Sequence, residues 1–140
     1  MTEKSRTVYL IARLYYLVRE QMDAELAKEE ITSVQYTVLS LIRGSDGLSS
    51  AQLARRYRVK PQSMHKTVRD LEAAGLIERA AGWENKKALV AVLSEKGRER
   101  LARCDTLIDA YERQLFRDAP AEDLEAFRRV AKSLMERPGP

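Results

Sequence analysis

One cysteine, Cys104, and one histidine, His65, stand among 140 residues. So few ligands exclude a disulfide framework and a multi-Cys/His zinc cage, and a lone thiol suits a reducing, cytoplasmic setting. Long apolar runs are missing too. The N-terminal run Val8 to Ala12 is broken by Arg13, too short for a signal peptide, and no stretch approaches the length of a membrane span. Nor is there a glycine-rich phosphate loop, a Ser/His/Asp arrangement at a recognisable spacing, or a His-Glu-x-x-His pair, so neither catalysis nor a cofactor is expected. The most telling absence is of one sign of charge. No acidic residue lies between Asp46 and Asp70, a gap that holds Arg55, Arg56, Arg58, Lys60, Lys66 and Arg69. With those six set aside, the 25 Lys+Arg become 19 against 21 Asp+Glu, so the net charge of +4 comes from this one segment. A local cationic excess implies an anionic partner meeting one surface.

What is present reads as a helical chain of one-domain length, with 44% hydrophobic residues to build a core. Residues 5–28 form a long helix with two adjacent apolar stripes: Leu10, Leu14 and Leu17, and beside them Ile11, Tyr15, Val18 and Met22. Two stripes require more than one neighbour. Two capping boxes follow, Thr32 with Gln35 and Ser49 with Gln52, each bracketed by a hydrophobic staple (Ile31 with Tyr36, Leu48 with Leu53). The first of these helices runs to about Arg43, with Gly44 as a left-handed cap; the second ends near Tyr57. After a turn through Arg58 and Val59, Pro61 opens a helix that closes at Gly75. Residues 76–80 and 87–93 read as two strands joined by a polar loop. Ser94 caps a helix to about Phe116 with Leu101, Cys104, Ile108, Tyr111 and Leu115 at heptad spacing. Pro120 opens a last helix that turns Leu124, Phe127, Val130 and Leu134 inward.

Two helices joined by a short turn form a helix-turn-helix, whose second helix is the one able to enter a DNA major groove. At 100° per residue, Met64, Val68 and Leu71 fall within about 60° of one another and make the core face of helix 61–74. Gln62, Lys66, Arg69 and Ala73 lie opposite, flanked by Ser63 and His65. Arg and Lys suit guanine edges, Gln suits adenine and Ser suits either, while an acid here would face phosphate. Arg55, Arg58, Lys60 and Pro61 complete the expected DNA-contacting segment. The two strands supply a wing whose loop carries Lys86 and Lys87 to the adjacent backbone or minor groove. For Trp83 at its tip, packing under the loop is the favoured reading and direct contact with DNA the alternative.

The stretches TSVQYTVLSLI, SSAQLARRYRVKPQSMHKTVRDLEAAGLIER and ALVAVLSEKG together resemble the MarR family of winged-helix transcriptional regulators, and the resemblance covers nearly the whole chain. It implies a mainly α fold with a small β-hairpin wing: one domain over 1–140, a winged helix at approximately 32–93, and dimerisation helices at approximately 5–28 and 94–136. It also implies a homodimer on a pseudo-palindromic operator in double-stranded DNA, most often a repressor, released by a small molecule bound between the dimer and winged-helix lobes. Two departures stand out. Asn85, Lys86 and Lys87 occupy wing positions where the family has Asp, a basic residue and Arg, and Lys lacks the planar fork of Arg. Lys60 replaces the usual Ser or Thr cap of the recognition helix.

Tyr9, Arg13 and Tyr16, at spacings of four and three, place two phenols around one guanidinium, and Tyr36 on the next helix is positioned to close such a site. A guanidinium binds a carboxylate bidentately and phenols add ring contacts. The resemblance further implies that the first helix lines an effector pocket taking aromatic carboxylates, so an aromatic carboxylate or its thioester is the expected effector. The alternative is that Arg13 lies along tyrosine rings at the dimer surface. Two other functions compete: an architectural or protein-binding winged helix without an effector, and a redox regulator acting through Cys104. Cys104 sits on an apolar stripe with Leu101 and Ile108 and without a basic residue, which favours a buried structural thiol.

Overall fold

The computed structural model describes residues 5–82 and 89–138. Its elements are α1 (Thr7–Leu26) with a 3-10 turn at Ala27–Glu29, α2 (Ser33–Arg43), α3 (Ser50–Tyr57), α4 (Pro61–Ala73), β1 (Ile77–Ala81), β2 (Leu89–Leu93), α5 (Glu95–Leu115) and α6 (Ala121–Met135). The expected mainly α winged helix-turn-helix is therefore observed. The chain divides into two units, Met1–Ile108 and Asp109–Pro140, with the boundary inside α5.

Both capping boxes form. The Thr32 hydroxyl accepts from the Gln35 N–H at 3.1 Å and the Gln35 side chain accepts from the Thr32 N–H at 3.0 Å. Ser49 and Gln52 repeat the exchange at 3.2 and 2.9 Å. Each cap contributes about 1 kcal/mol by satisfying donors that α2 and α3 would otherwise leave orphaned. These helices then present Leu39, Ile42 and Leu53 to a core shared with Leu71 of α4 and Leu101 of α5, all essentially without exposed surface. Burying each such side chain contributes roughly 1.5–3 kcal/mol.

Gly44 departs from expectation: its φ is −79°, not left-handed. The carbonyls of Ser40 and Ile42 are already satisfied by the Gly44 and Ser45 N–H groups, both at 3.1 Å, so no left-handed turn is needed there. The left-handed glycine comes three residues later, at Gly47. Leu48 then does more than staple α3. It exchanges two backbone hydrogen bonds with Ala91, at 3.2 and 2.7 Å, and so forms a single antiparallel bridge to the middle of β2.

The hairpin is antiparallel, Ile77 facing Leu93 and Ala81 facing Leu89, and it starts one residue later than the pattern suggests. Leu76 is withheld from the strand by the end of α4. Its N–H donates to the Leu71 carbonyl at 3.0 Å while Gly75, at φ 75°, donates to Glu72 at 2.9 Å, a Schellman cap whose apolar contact is Leu71 with Leu76. The start of α5 locks onto this cap. Ser94 accepts from the Gly97 N–H at 3.0 Å and donates to the Gly75 carbonyl, and the Lys96 ammonium donates to the Ala74 carbonyl at 2.9 Å.

The long terminal helices are exposed where they are apolar. In α1 only Leu26 is buried, while Leu10, Ile11, Leu14 and Leu17 remain between 37% and 52% exposed. In α6 the expectation of an inward face is corrected: Leu124 is half-buried, but Phe127, Val130 and Leu134 are about half exposed in the single chain. Phe127 meets Phe116 at 6.4 Å between ring centroids, within the second unit.

Candidate nucleic-acid interface

The turn between α3 and α4 holds a cation in an unfavourable backbone state. Arg58 is left-handed (φ 59°, ψ 45°), a conformation that costs a non-glycine residue roughly 1–2 kcal/mol. Gly or Asn is the low-cost choice for this position, and Glu30 shares the left-handed state at φ 56°, so the strain alone marks no site. Val59 follows, half-buried, with its N–H on the Ala54 carbonyl at 3.1 Å, and this fixes where α4 begins. Lys60 is the extended N-cap residue, makes no side-chain cap, and is followed by Pro61 at the first helical position.

Along α4 the wheel divides as expected. Met64, Val68 and Leu71 are at most 1% exposed, whereas Gln62, Ser63, His65, Lys66 and Arg69 all face outward. Arg55, Arg58, Lys60 and Pro61 are exposed on the same α3–turn–α4 segment. Arg56, not among the expected contacts, is exposed beside Arg55; its place in the same basic run was the available signal. The helix's two acids are both engaged. Arg79 of β1 donates to Glu72 at 2.6 Å, and Lys66 donates to Asp70, one turn along, at 2.9 Å. Both members of the Lys66–Asp70 pair are more than half exposed and run in the less favourable order, so the pair is worth at most about 0.5 kcal/mol. Among the described residues, Arg55, Arg58, Lys60 and Arg69 pair with no acid. Trp83, Asn85, Lys86 and Lys87 lie outside the described residues.

The residues expected to hold an effector are only partly brought together. The Arg13 guanidinium lies 5.9 Å from the centre of the Tyr9 ring. Tyr16 instead meets Tyr15 edge-on at 5.5 Å. The Tyr36 hydroxyl donates to Asp105 at 2.6 Å, and Arg43 donates to the other oxygen of the same carboxylate, so Tyr36 ties α2 to α5. Burial raises the Asp105 carboxyl, but the hydrogen bonds from Arg43 and Tyr36 outweigh it and hold the group below its ordinary range. A cavity of about 410 Å³ opens further along α1, nearly two turns beyond Arg13, lined by Arg19, Asp23, Thr32 and Ser33 among others. Arg19 there donates to the Tyr15 hydroxyl at 3.2 Å, the same four-residue Tyr–Arg spacing that singled out Tyr9 and Arg13. The repeat of that spacing was the signal for Arg19.

Cys104 is fully buried, and its thiol is pushed up to about 11, first by burial and then by the charge of Glu29. Basic residues do stand near it, contrary to the stripe pattern, but Arg103 donates to the Glu29 carboxylate at 3.0 Å and Arg100 to the Glu29 carbonyl at 3.1 Å. The thiol therefore stays protonated near neutral pH, without the thiolate a redox sensor needs. Among the described residues, no cluster of His, Cys, Asp and Glu could hold a metal, and no helix is long and apolar enough to cross a membrane.

The family model described as the MarR family matches residues 30–82, from the end of the 3-10 turn through the first wing strand. The HTH-type transcriptional repressor Rv2887 of Mycobacterium tuberculosis is 31% identical over 126 residues, covering 90% of this chain and 91% of its own. The chain belongs to the MarR family. The MarR family protein Rv2887 has been solved in complex with DNA; that structure is 28% identical to this chain, with a TM-score of 0.78, and covers 94% of this chain and 98% of the other. The same MarR family protein in complex with salicylic acid matches at 29% identity and a TM-score of 0.76, covering 96% and 99%. The MarR family match thus extends well beyond the helix-turn-helix, over the long terminal helices as well.

Proposed function

We propose that this chain is a homodimeric transcriptional repressor that reads a pseudo-palindromic operator in double-stranded DNA. The winged helix at approximately 32–93 is the reading part, and the helices at approximately 5–28 and 94–136 form the dimer. The observation that carries this is the division of α4: three buried apolar residues on one side, and Gln62, Lys66 and Arg69 on the other with no unpaired acid among the described residues. A relative solved on DNA supports it. Arg55, Lys60, Ser63 and His65 serve as flanking contacts, and the wing lysines, Lys86 and Lys87, as a second one. Dimer symmetry would set the two recognition helices roughly 34–36 Å apart, one DNA turn.

Arg69→Ala and Lys66→Ala should each weaken operator binding without disturbing the fold, since neither side chain enters the core. Loss of a base contact should cost about 1–3 kcal/mol and relax specificity at one position, whereas loss of a phosphate contact should lower the salt slope by about one. Fluorescence anisotropy on a duplex selected by the wild type measures both; unchanged affinity in both variants would remove the groove assignment. An architectural winged helix would instead bind random and selected duplexes alike, where specific binding exceeds random by roughly 10³-fold or more.

We further propose that an aromatic carboxylate or its thioester releases the operator. The relative solved with salicylic acid supports the ligand class. Two Tyr–Arg pairs on α1 offer an anionic anchor: Arg13 beside Tyr9, with Tyr16 and Tyr36 as further contacts, and Arg19 beside Tyr15 at the 410 Å³ cavity. Calorimetry with salicylate and hydroxycinnamates should give binding to the wild type and a loss of roughly tenfold or more when the anchoring arginine becomes alanine, the worth of a charge-assisted pair. Equal binding by Arg13→Ala and Arg19→Ala would exclude both anchors, and no binding to the wild type would exclude the class.

A further inference from the structure

Asp70 is an anomaly on the surface proposed to read DNA. Counting 100° per residue, it lies about 40° from Lys66, on the groove-facing side of α4. Glu72, the helix's other acid, is held by Arg79 of the neighbouring strand, but Asp70 has no partner off the helix among the described contacts and bonds only Lys66, at 2.9 Å. A carboxylate in this place repels every phosphate that approaches, whatever the sequence. It also occupies the ammonium of the lysine best placed to reach a base edge. The lysine precedes the acid by four residues, the weaker orientation on a helix, and both groups are solvated, so the pair is readily exchanged.

We propose that Asp70 is a specificity-determining residue that acts through Lys66: it holds the lysine away from phosphates on random DNA and releases it only to the acceptor edge of a guanine in the operator. The inference rests on the DNA-reading function proposed above. Its physical content is an exchange of acceptors. On random DNA, Lys66 gains a phosphate but leaves Asp70 unpaired beside a polyanion, so the exchange yields little. On the operator, guanine O6 and N7 together accept from the ammonium, and the neighbouring Gln62 and Arg69 bind at the same time. Discrimination then comes from what random DNA is denied, which is how specificity is built against a competitor.

Asp70→Asn keeps the shape and removes the charge. Anisotropy titrations across a salt series would compare wild type, Asp70→Asn, Lys66→Gln and the double variant. One duplex is that selected by the wild type from a random pool, and the other is poly(dA-dT), which offers no O6/N7 edge in the major groove. Asp70→Asn should bind poly(dA-dT) roughly three- to tenfold more tightly, with a salt slope steeper by about one as Lys66 takes a phosphate, and its operator preference should fall by a similar factor. In the Lys66→Gln background the change in slope should vanish, a coupling that a merely structural role for Asp70 would not produce. An unchanged poly(dA-dT) slope in Asp70→Asn overturns the inference. So does a loss confined to the selected duplex, which would make Asp70 a direct acceptor for a cytosine amino group. A wild type that prefers no duplex overturns the DNA-reading function itself, an outcome distinct from both.

Discussion

Gly97→Ala should destabilise the protein by about 3 kcal/mol or more, at the upper end of what overpacking costs, and lower its Tm by roughly 10 °C. A Cβ at position 97 would stand 1.9 Å from the Leu76 carbonyl oxygen and 2.9 Å from its carbon. These are backbone atoms, so no side-chain rotation relieves the clash. The Leu76 carbonyl also accepts from the Ser94 N–H at 3.1 Å, and the Leu76 N–H completes the cap of α4. Displacing it would therefore loosen the recognition helix at its C-terminal end as well as the entry to α5. Gly44→Ala is the matched control. Its φ of −79° is open to alanine and the nearest atom to an added Cβ is 3.6 Å away, so stability should hold or rise by about 0.4–1 kcal/mol. Thermal unfolding of both variants decides: equal Tm values would mean that α5 does not approach Leu76 as closely as described.

Leu14→Asp should break the proposed dimer into monomers at micromolar concentration and weaken operator binding by roughly 10²–10⁴-fold, the gain that linking two half-sites provides. Leu10, Ile11, Leu14 and Leu17 are 52%, 50%, 37% and 45% exposed in the single chain, a contiguous apolar stripe of a kind that monomers rarely leave in water. Phe127, Val130 and Leu134 of α6 repeat the pattern in the second unit. A carboxylate in the middle of such an interface would be buried without a partner. The winged helix should survive, because α1 contributes only Leu26 to the buried core. Sedimentation velocity with circular dichroism would test this. A monomeric wild type, or a variant that stays dimeric, would show that the stripe serves another purpose.

The local order of the chain was legible in its residues. Thr32 with Gln35 and Ser49 with Gln52 are reciprocal caps whose partners sit three residues apart, and each formed as the spacing required. The spacing of Met64, Val68 and Leu71 likewise determined which side of α4 is buried, since a helix's own geometry sets its faces. The basic segment and its missing acids were composition, readable without any fold. Residues far apart in sequence were decided otherwise. Leu48 pairs with Ala91, Tyr36 and Arg43 converge on Asp105, and position 97 requires glycine because it lies against Leu76. Nothing in the neighbourhood of any of these residues encodes its partner, because the contact exists only after α5 and the hairpin have packed on the helix-turn-helix. Gly44 is a local case: its N–H bonds Ser40 and the Ser45 N–H bonds Ile42, and this turn needs no left-handed glycine. Spacing found the Tyr9–Arg13 pair, but only tertiary packing placed a cavity beside Arg19, since a cavity belongs to the space between elements and not to either one.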